Sequence, residues 1–143
     1  MRQLHSNLYV AGEILPQDID TLKSEGFTTI INNRPDQEEA AQPNAAQMSE
    51  LAKEAGIAYV HLPMANGQPL GENVVGDFRK LIVDPEQKIL AHCRSGRRSS
   101  VIWALGAIAA GEVSVDDAIA KGVAAGIPLH NARPLLESAV PQS

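Results

Sequence analysis

The run His92-Cys93-Arg94-Ser95-Gly96-Arg97-Arg98-Ser99 constrains this chain more than any other stretch. It holds the only cysteine among 143 residues and three of the seven arginines. An apolar run, Lys88-Ile89-Leu90-Ala91, leads into it, and a helix-like run, Ser100-Val101-Ile102-Trp103-Ala104-Leu105, leads out. That order reads as a strand, a tight loop and a helix N-terminus, with the thiol at the start of the loop. Such a loop suits an anion held over a nucleophile. Backbone N–H groups and the positive end of the helix dipole point into it. The same field, with arginine nearby, lowers a cysteine pKa towards neutrality and populates the reactive thiolate.

A lone cysteine is most often a small buried core residue. The strand before Cys93, the glycine, the arginines and the helix after it favour a nucleophile instead, one that attacks an electrophilic phosphorus or sulfur. Gly96 lets the backbone turn inward with no Cβ in the way. Arg98 offers a planar two-donor grip on an oxyanion. Arg94, Ser95, Gly96 and Arg97 complete an anion-binding loop, although loop arginines are usually just solvated. Ser99 can donate a hydrogen bond to the thiolate, cap the helix, or do both. His92 can support the loop's backbone.

The rest of the chain alternates strand and helix. Strands are expected at Leu8–Ala11, Phe27–Ile31, Ile57–Leu62 and Lys88–Ala91. Helices are expected at Pro16–Glu25, Ala45–Ala55, Glu72–Val83, Ser99–Ala110 and Val113–Ala125, with a short one at Arg133–Ala139. This alternation predicts an α/β fold, a mainly parallel sheet flanked by helices, in a single domain over residues 1–143. Ligands bind such sheets at the carboxyl ends of the strands. The loops Asn32–Pro43, Pro63–Gly71 and Cys93–Arg98 leave those ends and should meet around one pocket.

A net charge of −5 argues against nucleic-acid binding and leaves the arginine cluster as a local feature in an acidic body. That pattern fits a small anionic or phosphorylated substrate. Aromatics are only 3% of residues, so the core should be aliphatic. One cysteine makes no internal disulfide, no apolar leader opens the chain, and nowhere do ~18 apolar residues run unbroken. The expectation is a cytoplasmic protein with no membrane partner. His5, His61, His92 and His130 lack ligand spacing, so no metal is expected. No cofactor is expected either, because the glycines match no nucleotide-binding fingerprint.

The order of elements and His92-Cys93…Arg98-Ser99 resemble the cysteine-dependent dual-specificity and tyrosine phosphatases. Closer still, the chain to about Gly111 resembles a bacterial family of phosphatase-like domains, the phosphatase-like domain of β-lactamase hydrolase-like proteins. The matching stretches are Leu8-Tyr9-Val10-Ala11-Gly12, Ile31-Asn32-Asn33-Arg34-Pro35-Asp36-Gln37-Glu38-Glu39, Tyr59-Val60-His61-Leu62-Pro63 and the Cys93 loop. The resemblance implies a dual-specificity-like architecture and a hydrolase acting through a Cys93 thiolate. It also implies a metallo-β-lactamase-type hydrolase as a fused or separate partner.

Two departures qualify that implication. The phosphatase signature has five residues between cysteine and arginine, and in that register the arginine position holds Ser99. Only Arg94-Ser95-Gly96-Arg97 separate Cys93 from Arg98, as in the shorter loop of rhodanese-type sulfurtransferases. A narrower cradle suits a persulfide sulfur. Phosphatases of this kind also take a proton from an aspartate on a neighbouring loop. The matching position in Pro63-Met64-Ala65-Asn66-Gly67-Gln68 is Asn66, which has no proton to give. Asp36 is the expected substitute, with Glu38 and Glu39 in reserve, although Asp after proline also serves turns. Arg34 either pairs with one of those glutamates or lines the pocket. The expected function is a cysteine-dependent phosphatase-like hydrolase. Sulfurtransfer through a Cys93 persulfide and non-catalytic binding of an anion or phosphoprotein are the alternatives.

Overall fold

Four short aliphatic runs pair side by side in a computed structural model that describes residues 1–71 and 73–141. They are β2 (Leu8–Ala11), β3 (Thr29–Asn32), β4 (Ala58–His61) and β5 (Ile89–His92). A further strand not expected from the sequence, β1 (Arg2–His5), pairs antiparallel with β2. The five-stranded order is β1-β2-β5-β3-β4, and every pair except β1 with β2 is parallel. The α/β class and the mainly parallel sheet are as the alternation requires. β1 carries no period-2 signal in the sequence, because Leu4 is its one buried residue.

The helices are α1 (Asp18–Ser24), α2 (Ala45–Ala55), α3 (Val74–Ile82), α4 (Arg97–Ala109), α5 (Val115–Ala124) and α6 (Arg133–Glu137). A one-turn 3₁₀ helix, His130–Ala132, leads into α6. The start expected for α3, Glu72, lies outside the described residues. α2 keeps its expected limits for a local reason. Asn44 and Gln47 form a capping box at its start, and Gly56 closes it in the left-handed conformation at φ +80°.

Alternating strand residues divide between two cores. Ile30 and Leu90 pack with Ile19, Leu22, Phe27, Met48 and Ala52 beneath α1 and α2. Ile31, Ile89 and Ala91 pack on the other face with Val101, Trp103, Ala104 and Ile108 of α4 and with residues of α3, α5 and α6. The cores are aliphatic apart from Trp103, Phe78 and Phe27. α4 is buried without interruption from Arg98 to Ile108. A helix apolar nearly all round belongs inside a domain. It fixes the element whose N-terminus faces the Cys93 loop.

The register brings the strand ends into line. Ala11 and Asn32 both stand opposite His92, and Asn32 also stands opposite His61. The chains leaving β2, β3, β4 and β5 therefore emerge along one rim. Gly12 lies at that rim and bridges to Ser95. A Cβ on Gly12 would stand 2.8 Å from the Arg94 carbonyl oxygen. Gly12→Ala should cost about 1–3 kcal/mol in urea unfolding, because backbone has to move to admit the methyl group. Gly76→Ala should stabilise by about 0.5–1 kcal/mol, since Gly76 is helical and nothing lies within 4 Å of its added Cβ.

Candidate active site

The Cys93 loop is built by three local devices. The Cys93 N–H donates to the Ala11 carbonyl at 3.3 Å, which continues the β2–β5 pairing one residue past the strands. Gly96 turns the chain at φ +89° and serves as the N-cap of α4. The Ser100 hydroxyl then donates to the Gly96 carbonyl at 2.8 Å. The outcome is a half-ring of backbone around one sulfur.

The Gly96 N–H donates to Cys93 Sγ at 3.1 Å. Burial alone would push the thiol pKa up. The N–H groups of Ser99, Ser95, Arg98 and Gly96 outweigh it, and the net shift is downward. The loop thus favours the thiolate through its own donors and the start of α4. Cys93 is 1% exposed, so the sulfur lies at the bottom of the cradle.

Arg98 is buried beside the thiol. Its Nη1 donates to Glu38 Oε2 at 2.7 Å and to the Met64 carbonyl at 2.8 Å, and its Nη2 donates to Glu38 Oε1 at 2.7 Å. Glu38 also accepts from Arg34 Nε at 2.9 Å. Its carboxyl pKa is lowered, first by the hydrogen bond from Arg98, against the opposing effect of burial. Glu39 accepts ion pairs from Arg34 and Arg94, each at 3.2 Å. Glu13 lies 3.7 Å from Arg34. Arg34 is therefore a buried tie between acidic side chains rather than a pocket wall.

The three expected loops do meet. The Asn33 side chain donates to the Leu62 carbonyl at 2.8 Å and accepts the Ser99 hydroxyl at 2.7 Å. The Met64 N–H donates to the Asn33 carbonyl at 3.0 Å. Ser99 differs from expectation in two respects. It is the third residue of α4, with Gly96 in the cap position, and its hydroxyl is bound to Asn33. Its backbone N–H, not its hydroxyl, favours the thiolate.

Asp36 has structural work as well. Its Oδ1 accepts the Ala45 N–H, the first of α2, at 2.8 Å, so the residue anchors that helix. Asn66 is exposed. Arg94 is 71% exposed, Ser95 is exposed, and Arg97 opens α4 half-buried. Sequence reasoning left Glu38 in reserve and gave no separate role to Asn33 or Gly12, which the structure places at the junction.

His92 ends β5 and is buried. Its carbonyl accepts the Asn33 N–H at 2.8 Å, while among the described residues neither ring nitrogen has a hydrogen-bond partner. Burial, and then the positive charge of Arg34, bring its pKa from 6.5 down to about 4. The fold refuses a proton that the unfolded chain accepts. Stability is therefore full above pH 6.5 and falls as pH drops towards about 4. The loss should reach about 3 kcal/mol. In urea unfolding between pH 7 and pH 4.5, His92→Gln should flatten the slope by about 2–3 kcal/mol; an unchanged slope refutes this reading.

The family described as β-lactamase hydrolase-like protein, phosphatase-like domain matches residues 1–111. A β-lactamase hydrolase-like protein of Agrobacterium fabrum is 32% identical over 115 residues, covering 80% of this chain and 26% of that protein. One from Xylella fastidiosa strain 9a5c is 31% identical over 134 residues, covering 94% of this chain and 31% of that protein. The chain thus spans under a third of these relatives' length. A candidate phosphatase from Neisseria meningitidis has a crystal structure similar at a TM-score of 0.83, with 35% identity and 96% of each chain covered. The fold is shared with a kinase associated phosphatase carrying serine for its catalytic cysteine. That match has a TM-score of 0.69 and 21% identity, and covers 92% of this chain and 88% of the other.

Proposed function

Because the chain belongs to the phosphatase-like domain family of β-lactamase hydrolase-like proteins, we propose that it is a phosphatase working through the Cys93 thiolate. The observation that carries this reading is the ring of N–H donors around Cys93 Sγ with Arg98 beside it. The kinase associated phosphatase, on the same fold, has a cysteine as its catalytic residue.

In the first step Sγ attacks phosphorus, the S–P bond forms, and the bond to the leaving oxygen breaks. The leaving group departs with the electron pair. The loop N–H groups and Arg98 hold the equatorial oxygens as their charge grows. Water then attacks phosphorus, the S–P bond breaks, and the thiolate returns with release of inorganic phosphate and a proton. The N–H donors that lower the thiol pKa also make Cys93 a good leaving group in this second step.

Sulfurtransfer through a Cys93 persulfide is the second reading, and the loop length favours it. Four residues separate Cys93 from Arg98, one fewer than in the phosphatase signature. In that chemistry Sγ takes the outer sulfur of thiosulfate, sulfite leaves with the bonding pair, and cyanide then accepts the sulfur as thiocyanate. The matched relatives' names also support a hydrolase domain as a partner of this one.

Incubation with p-nitrophenyl phosphate, and separately with thiosulfate plus cyanide, distinguishes the readings. Phosphate release abolished in Cys93→Ser supports the phosphatase. Thiocyanate without phosphate release transfers the assignment to the sulfurtransferase. Silence in both with anion still bound points to a binding module. Arg98→Ala should lower phosphate release by about 10²–10³-fold, as for loss of a preorganised oxyanion donor.

Asp36→Asn keeps an acceptor for the Ala45 N–H and should leave the pH–rate profile in place. Loss of the basic limb in that variant would instead make Asp36 the proton donor.

A further inference from the structure

The hydrogen bonds of Arg98 account for three of its five N–H groups. Both Nη1 hydrogens are used, by Glu38 Oε2 and the Met64 carbonyl, and one Nη2 hydrogen is used by Glu38 Oε1. Among the described residues the Nε–H and the second Nη2–H have no oxygen partner; they lie side by side along one edge of the guanidinium, with Cys93 nearby. Glu38 thus sits end-on and leaves a two-donor edge. The proximity of Cys93 contributes to the raised pKa of Arg98, after Glu38, which puts the guanidinium and the sulfur within interaction range.

Charge is as constrained as geometry. Arg34, Arg94 and Arg98 are matched by Glu13, Glu38 and Glu39 in one linked set of ion pairs. The three arginines and three glutamates of this set therefore balance one another before any ligand arrives. The backbone N–H groups and the free Arg98 edge can match one negative charge on a tetrahedral group. A second charge meets the Glu38 carboxylate, which is hydrogen-bonded to two arginines and held ionised.

The geometry points to Glu38 as the specificity-determining residue of the cradle. By fixing Arg98 end-on and neutralising it, Glu38 selects tetrahedral oxyanion groups that carry one negative charge over those that carry two. The preferred reacting group is then a monoanion, such as a singly protonated phosphomonoester or a thiosulfonate, over the phosphomonoester dianion. This inference rests on the reading of the Cys93 loop as an anion cradle.

Sulfate and methyl sulfate provide the test, because they share a tetrahedral head and differ by one charge across neutral pH. Binding is measured by titration calorimetry at constant ionic strength on the full chain carrying Cys93→Ser, so that neither thiolate charge nor turnover enters. With Glu38 in place, methyl sulfate should bind at least as tightly as sulfate. Glu38→Gln should shift the affinity ratio about tenfold or more towards sulfate. Glu38→Asp, which keeps the charge, should retain the original order. Glu39→Gln removes a charge from the same loop without touching Arg98 and should shift the ratio much less.

Sulfate binding tenfold tighter with Glu38 present overturns the proposal. So does a ratio unmoved by Glu38→Gln while both anions bind, and that result leaves the cradle reading intact. Failure of either anion to bind overturns both. Should Glu38→Gln fail to fold, the order measured with Glu38 in place decides alone.

Discussion

The rim of this sheet depends on one ion pair, Arg98 with Glu38. Arg98 emerges from the first turn of a fully buried helix, so its guanidinium has little access to water. A buried, unpaired cation costs several kcal/mol. Two bonds to Glu38 and one to the Met64 carbonyl remove most of that cost, and they also fix the plane of the group. Glu38 in turn is oriented by Arg34, which Glu39 and Glu13 hold from other sides. The network is thus a scaffold in its own right, built from charge where the two apolar cores end. It joins the loop after β3 to the loop after β5 without passing through the sheet.

Much of this was legible in the sequence, for identifiable reasons. The strand, loop and helix around Cys93 are contiguous, so composition and spacing suffice to place the thiol, Gly96 and Arg98 together. The convergence of three loops follows from parallel topology, which β-branched and aliphatic runs separated by helical stretches impose. α2 was legible to the residue because its signals are local ones, Asn44, Gln47 and Gly56.

What stayed hidden depends on distance along the chain. The Ser99 hydroxyl finds Asn33, 66 positions away, and Arg98 finds Glu38, 60 positions away. Nothing near Glu38 tells it apart from Glu39; the path of the loop decides which carboxylate meets which arginine. Asp36 shows the same limit in reverse. Its proline neighbour and its place beside the arginine motif suggest chemistry or a turn, yet its carboxylate serves the N-terminus of α2. A short polar side chain near a strand end is equally suited to both uses until the following helix is positioned.

The Asn33 amide has a mechanical consequence. One end is bonded to the chain leaving β4 and the other to the hydroxyl on α4, while its backbone is bonded to His92 and Met64. None of these three segments can shift by more than a fraction of an ångström without breaking a buried bond. The rim should therefore open, if it opens, as one unit rather than loop by loop. Hydrogen exchange at the Asn33, Met64 and Cys93 amides would then share a single opening rate, set by the least stable of the segments that Asn33 ties together.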